Sequence, residues 1–194
     1  MGNDTFKNIK AVNEPIKDYL SNSSEKISIK KQLNKMSNEC IDIPIIIGGK
    51  EIRTNDMGQC IMPHNHKHVL ANYHRASSKE VNMAIENLLN TWKSWSNTSI
   101  EYRIGIFQKM AKLLQGPHRD IINASTMLGQ SKNIFQAEID SACELIDFFN
   151  FNCEYLTEII SQQPKYSPEG IKNSMEYRSL EGFVFAVTPF NFTS

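Results

Sequence analysis

Three groups of residues in this chain have types and spacings that could carry chemistry. His64, His66 and His68 form a His-x-His-x-His run, which on a strand would turn three imidazoles to one face, as zinc ligands require. Pro63 and Asn65 instead point to a turn that splays the side chains, and no second Cys/His cluster lies nearby. The run therefore reads as structural histidines, and no metal is expected. The second group is Asp140, Glu144, Asp147, Glu154 and Glu158, on one stripe of a helical segment that has no Lys or Arg between 138 and 160. Such a stripe is first of all a solvated helix face. The third is the segment "GFVFAVTPFNFTS" (182–194), an apolar run that breaks at Pro189 and then presents Asn191 between Phe190 and Phe192. Ligands of open α/β sheets bind at the carboxyl ends of strands. A capping Asn in an ordinary strand-to-loop turn fits the same local pattern.

The elements that must position these groups follow from periodicity. Residues 1–24 are polar and read as a surface arm, and 25–36 tolerate a helix. In "IPIIIGGKEI" (43–52) two short apolar runs flank Gly48-Gly49, the signature of a two-residue hairpin loop. Strands at 59–62 and 68–74 follow. From Ser77 the period changes. Ser77 and Glu80 have capping-box spacing, and Val81, Ala84, Ile85, Leu88, Leu89 and Trp92 recur as a helix face. Further helices are expected over 100–114, closed by Gly116-Pro117, over 118–128, and over 133–160. The last carries Ile139, Cys143, Ile146, Phe149, Cys153, Leu156 and Ile160 on one apolar stripe. Beyond a loop at 164–172, "MEYRSL" (175–180) and "GFVFAV" (182–187) read as strands, the latter apolar enough to be buried on both faces of a parallel sheet.

Composition excludes several classes of function. The 194 residues hold 21 basic and 21 acidic side chains, so the surplus of positive charge that nucleic-acid binding needs is missing. The longest uncharged stretch, 182–194, is far shorter than the roughly 20 apolar residues of a spanning helix, so no membrane insertion is expected. Cys40, Cys60, Cys143 and Cys153 are irregularly spaced and read as reduced thiols, the last two on the apolar stripe of a helix.

"AVTPFNF" (186–192) resembles the oxyanion-hole motif of the aldehyde dehydrogenase superfamily, with Phe190 where the usual form has Trp. "RIGIFQKMAKLL" (103–114) and "TMLGQSK" (126–132) are similar to a helix pair and turn of that superfamily. "VNEPI" (12–16), "PHNHKH" (63–68), "QAEIDSACELIDFFNFN" (136–152), "QQP" (162–164) and "YRSLEGFVFAVTPFNFT" (177–193) resemble the Δ1-pyrroline-5-carboxylate dehydrogenases. The resemblance spans residues 12–194. It implies an α/β fold of amino-terminal β-hairpins, a helical cluster and the first strands of a Rossmann-like NAD domain. Residues 1–40 would form a polar arm with a short helix, and 41–194 an incomplete NAD-binding domain.

The activity implied is NAD-dependent oxidation of the aldehyde L-glutamate γ-semialdehyde to L-glutamate in proline catabolism, in a homo-oligomeric parent enzyme of the mitochondrial matrix. A cytoplasmic location is the alternative, since no transit peptide is legible. By the same resemblance Asn191 is the donor to the oxyanion, Thr188 faces the NAD cofactor, Phe192 is an aromatic wall of the aldehyde tunnel and Glu144 lines that tunnel. The departures are as informative. The superfamily nucleophile sits in a Gly-Gln-x-Cys setting downstream of the Asn motif, whereas "MGQC" (57–60) lies upstream and places Cys60 directly after Gln59. The general-base Glu is missing too. The chain is thus expected to be an amino-terminal fragment, inactive alone. The rival is a non-catalytic truncated protein that binds or regulates full-length subunits.

Overall fold

A computed structural model describes residues 9–188, 190, 191 and 193. The expectation for Phe192 lies outside the described residues. The fold is mixed α/β, and helices dominate it. An extended arm leads into α1 (Ser24–Ser37), then β1 (Ile41–Ile43), β2 (Ile45–Ile47), β3 (Lys50–Ile52), β4 (Met57–Ile61) and β5 (Val69–His74). The helical body follows as α2 (Ser78–Ser96), α3 (Ile100–Gln115), α4 (Arg119–Gln130), α5 (Ile134–Ala137), a π-helical turn (Glu138–Cys143) and α6 (Glu144–Ser161).

The expected hairpin is present. β2 pairs antiparallel with β3, and Gly48 and Gly49 supply the two positive φ angles, 58° and 74°, that its loop requires. A separate sheet has the order β1-β5-β4, with β1 parallel to β5 and β4 antiparallel to it. Gly58 on β4 lies opposite Tyr73, where a Cβ would stand 2.2 Å from Cζ of the ring, so the ring has room only against glycine. His74 on β5 places Nδ1 2.7 Å from the Thr54 carbonyl, in the segment before β4, and Nε2 3.2 Å from Asp42 on the neighbouring β1.

Helices α1, α2, α3 and α5 start where a side chain satisfies the first free amides, whereas α4 begins after His118 without a side-chain cap. Ser77 and Glu80 form the expected capping box of α2, Ser99 caps α3, and Asn133 with Gln136 boxes the start of α5. The end of α4 differs from expectation. Gly129 lies inside the helix, which runs to Gln130 and stops at Ser131 in the left-handed region, φ 56°. Two apolar clusters hold the body together. Tyr19, Ile29 and Ala124 pack with Leu33, Met36, Met127 and Ile134, joining the arm and α1 to α4. Ala111, Leu114 and Ile146 pack with Ile122, Leu145 and Phe149, joining α3 to α6. Burying side chains of this size contributes about 1.5–3 kcal/mol each.

The segment expected as one helix over 133–160 is interrupted by the π-helical turn. Its extra residue advances the helix face by about 100°, one residue's rotation. Ile139 consequently leaves the apolar stripe and is exposed, while Cys143, Ile146 and Cys153 remain buried. The face of α2 named above is largely uncovered among the described residues, with Val81, Leu88 and Leu89 exposed. The strands expected at 175–180 and 182–187 do not form. Residues 162–188 carry no ladder, and Val184 and Phe185 are 78% and 83% exposed. Apolar composition alone gives a segment no hydrogen-bond partner, and none of the described strands lies beside this one.

Candidate active site

The helical body is organised around a buried charge cluster. Arg119, at the start of α4, is 1% exposed, and Glu138, first residue of the π-helical turn, is fully buried. The guanidinium donates to Glu138 Oε1 at 2.5 Å and Oε2 at 3.3 Å, to Glu14 Oε1 at 2.5 Å, and to the Pro15 carbonyl at 3.0 Å. Glu138 also accepts from the Lys17 amide at 2.9 Å, from the Tyr19 hydroxyl at 2.8 Å and from Asn123 Nδ2 at 2.8 Å. Burial alone would raise the pKa of Glu138. Arg119, the Lys17 amide and the Tyr19 hydroxyl outweigh it and hold the carboxyl below its ordinary range. Burial works against the Arg119 charge in the same way, yet the two carboxylates keep its pKa above the ordinary value. The Tyr19 phenol is pushed upward by burial and by the Glu138 charge, so it stays a donor. In such a cluster every charge depends on its partners, because removing one leaves an uncompensated charge in the interior.

From this cluster the arm continues along α6. The Glu14 amide donates to Asp147 Oδ1 at 2.7 Å, Asn13 Nδ2 to Asp147 Oδ2 at 2.8 Å, and the Ala11 amide to Glu154 Oε2 at 2.6 Å. The acidic stripe is therefore not simply a solvated face. Asp147 and Glu154 are the acceptors that order the arm, Asp140 pairs with Lys132, and the arm docks instead of lying free on the surface. Glu144 is exposed and lines a cleft of about 430 Å3 with Asn13, Asp147, Phe148, Phe151, Asn152 and Tyr155. Carboxylates and aromatic rings meet there, with Asn13 supplying the wall from the arm.

Asn191 and Thr188 are exposed. The segment around Asn191 sits against the end of α4. Gln130 Nε2 donates to the Phe190 carbonyl at 3.2 Å, and the Thr193 and Thr126 hydroxyls are 2.5 Å apart. Thr126 is itself 2.6 Å from Ser141 in the π-helical turn. The residues named from the resemblance are thus not gathered into one pocket. Glu144 has its own cleft, and no described residue of the Asn191 segment lines it. The described residues do not by themselves fit a dinucleotide. Among the described residues Thr188 lies outside both sheets, and no described parallel strand or Gly-rich turn adjoins it to cradle a pyrophosphate.

The cysteines behave as their positions foretell. Cys143 and Cys153 are buried, and burial raises both thiols, Cys143 to about 11, so neither is a ready thiolate. Cys40, just before β1, and Cys60, on β4, are exposed. Among the described residues no group of three or more His, Cys, Asp or Glu could hold a metal. His64 instead places Nδ1 2.8 Å from Ser131 Oγ, fastening its loop to the end of α4. Neither Arg119, Glu138 nor Asn13 stands out in the sequence. The available signal was the run of acids without a basic residue between 138 and 160, which implies partners from elsewhere in the chain.

The sequence pattern of the aldehyde dehydrogenase family matches residues 52–194. The probable delta-1-pyrroline-5-carboxylate dehydrogenase of Schizosaccharomyces pombe is 46% identical over 183 residues, covering 94% of this chain and 33% of that protein. The mitochondrial delta-1-pyrroline-5-carboxylate dehydrogenase of Homo sapiens is 42% identical over 186 residues, covering 96% and 33%. The crystal structure of the Delta-pyrroline-5-carboxylate dehydrogenase from Mycobacterium tuberculosis superposes with a TM-score of 0.90 at 39% identity, over 94% of this chain and 34% of that one. The same enzyme bound with NAD gives a TM-score of 0.91 at 38% identity, over the same shares. The chain spans about a third of the length of these relatives. No described helix is long and apolar enough to cross a membrane. By sequence pattern and by fold, the chain belongs to the aldehyde dehydrogenase family.

Proposed function

We propose that this chain supplies the amino-terminal third of an NAD-dependent dehydrogenase that oxidises L-glutamate γ-semialdehyde to L-glutamate in proline catabolism. The observation that carries this reading is the 46% identity to a named delta-1-pyrroline-5-carboxylate dehydrogenase across 94% of the chain. Within that enzyme Asn191 is the donor. Its carboxamide is neutral, so it can hydrogen-bond a developing oxyanion at any working pH, a contribution worth about 100- to 1000-fold in rate. Gln130 and Thr126 hold its segment against α4 on both sides of Asn191. Thr188 faces the cofactor, Phe192 forms an aromatic wall of the aldehyde passage, and Glu144 with its cleft lines that passage. The nucleophilic thiolate and the base that activates water are taken to come from outside these 194 residues: Cys143 and Cys153 are buried with raised thiols, and Cys60 follows Gln59 directly, upstream of the Asn191 motif, unlike the family's nucleophile setting.

We further propose the mitochondrial matrix as the location of the parent enzyme, on the support that relatives from Dictyostelium discoideum, Homo sapiens and Emericella nidulans carry the word mitochondrial in their names. A homo-oligomeric parent completes the proposal. The test is a chimera in which this chain replaces the matching third of the Schizosaccharomyces pombe relative. NADH formation from glutamate γ-semialdehyde within about tenfold of the relative's kcat/KM is the expected result. A folded chimera with the relative's thermal midpoint and no turnover would overturn the reading, and would favour a chain that binds subunits without catalysing.

A further inference from the structure

The arm does more than cover the helices. It connects the buried charge cluster to the cleft that contains Glu144. Glu14 contacts Arg119 with its side chain and Asp147 with its backbone amide, so one residue belongs to both places. Its neighbour Asn13 bonds Asp147 and lines the cleft beside Glu144. Lys17 and Tyr19, further along the arm, bond Glu138, which opens the π-helical turn leading directly into Glu144.

The turn itself is fastened to α4 and its flank by side chains. Glu138 binds Arg119 and Asn123, Asp140 pairs with Lys132, and Ser141 meets Thr126. A π-helical turn lengthens the i→i−4 ladder by one residue and is less favourable than continued α-helix unless outside contacts hold it. Here those contacts set the rotational phase at which Glu144 and α6 begin.

We propose that the arm segment 11–19, clasped by Arg119 through Glu14 and Glu138, is a positioning device for the Glu144 cleft: docking of the arm sets both the wall at Asn13 and the direction of Glu144. The functional half of this inference rests on the reading of Glu144 as an aldehyde-passage residue. Arg119, Glu14 and Glu138 act through Glu144 and Asn13, and none of them touches substrate.

The consequence is a change in aldehyde handling with little change toward the dinucleotide. Glu14→Ala removes one acceptor of Arg119 and the 2.7 Å bond from Gln115 Nε2, and leaves the Arg119–Glu138 pair in place. In the chimera described above, Glu14→Ala should speed hydrogen exchange at the Ala11, Glu14 and Lys17 amides by about tenfold, because those three amides are held by Glu154, Asp147 and Glu138. It should also raise KM for the aldehyde by about fivefold while KM for NAD stays within twofold. Glu14→Gln, which keeps an acceptor for Arg119, should recover most of both effects.

Asn13→Ala is the second variant, for the case that Glu14→Ala does not fold. It loses only an exposed bond to Asp147, and it should raise aldehyde KM without changing exchange at Lys17. Faster exchange in Glu14→Ala with an unchanged aldehyde KM would show the arm to be scaffolding and overturn the proposal. Unchanged exchange at the three amides would overturn the clasp. Hydrogen exchange is read whether or not the chimera turns over, so failure of the clasp is distinct from failure of the proposed activity.

Discussion

The arm before α1 and the tail after α6 lie on the same helical body, and their sequences suggest the wrong one as the better anchored. Residues 11–19 interleave Asn13, Glu14, Lys17 and Asp18 with apolar side chains and form no continuous apolar run. Even so, the Ala11, Glu14 and Lys17 amides end on carboxylates of α6 or the π-helical turn, and Tyr19 is buried. The tail, 162–188, contains the most apolar run of the chain, yet it touches the body through scattered bonds. Trp92 Nε1 donates to the Leu180 carbonyl at 2.5 Å, Ser179 to the Ser96 carbonyl at 3.2 Å, and Tyr177 to the Ile159 carbonyl at 3.2 Å. Its large side chains stay in solvent. Partners fix a segment, and apolar content without partners does not.

The comparison breaks most visibly if the tail completes a site unaided. A protein of these 194 residues should show no turnover with NAD and glutamate γ-semialdehyde, because loss of the covalent nucleophile costs on the order of a millionfold in comparable enzymes. A steady-state assay on protein freed of full-length enzyme checks this. Next in size is the arm's anchor. Arg119→Met leaves Glu138 buried without its cation and should cost about 3–5 kcal/mol, read as a lowered denaturation midpoint. A loss under about 1 kcal/mol would show the cluster to be dispensable.

In the chimera, Asn191→Ala should remove about 2.7–4 kcal/mol of transition-state stabilisation in single-turnover hydride transfer, with NAD affinity nearly unchanged. A shifted thermal midpoint with normal hydride transfer would make Asn191 a turn residue instead, worth roughly 1 kcal/mol. A smaller effect is expected from pH. Glu138 is depressed in the folded state, so its contribution is complete above the ordinary carboxylate pKa and is lost as pH falls through its folded value. Cys143 is raised, so its contribution is complete below pH 9 and is lost as pH rises to about 11. Cys143→Ala should flatten the alkaline limb of a stability profile and leave the acid limb unchanged. The smallest effect belongs to the tail. Val184→Lys should shift the midpoint by no more than about 0.5 kcal/mol and reduce self-association, since a charge blunts an unpaired apolar strand.

Local signals in the sequence were read correctly where the chemistry is local. The Gly48-Gly49 loop, the Ser77–Glu80 box and the stop at Gly116 depend on neighbours a few residues away, and each appears as expected. Pairings between distant segments were not legible. The parallel pairing of β1 with β5 joins residues about thirty apart, and Arg119 meets Glu14 across more than a hundred. The stripe expected through Ile139 failed because a period of 3.6 assumes an unbroken α-helix, and the π-helical turn violates it. Of the candidate site, Asn191 came from a motif and Glu144 from a count along the helix. Asn13 and the clasp came only from three-dimensional proximity.

The π-helical turn also makes the chain unusually sensitive to length at one place. Removing a single residue from 138–143 would let the backbone close into regular α-helix, with hydrogen bonds as good as before or better. The local structure would accept the deletion as a repair. Everything beyond it would then arrive about 100° out of phase, turning Ile146 and Cys153 from the α3 contact toward water and presenting charged neighbours in their place. A frame-preserving deletion there would yield a better helix and a worse protein, whereas the same deletion in the 164–172 loop would rotate no helix.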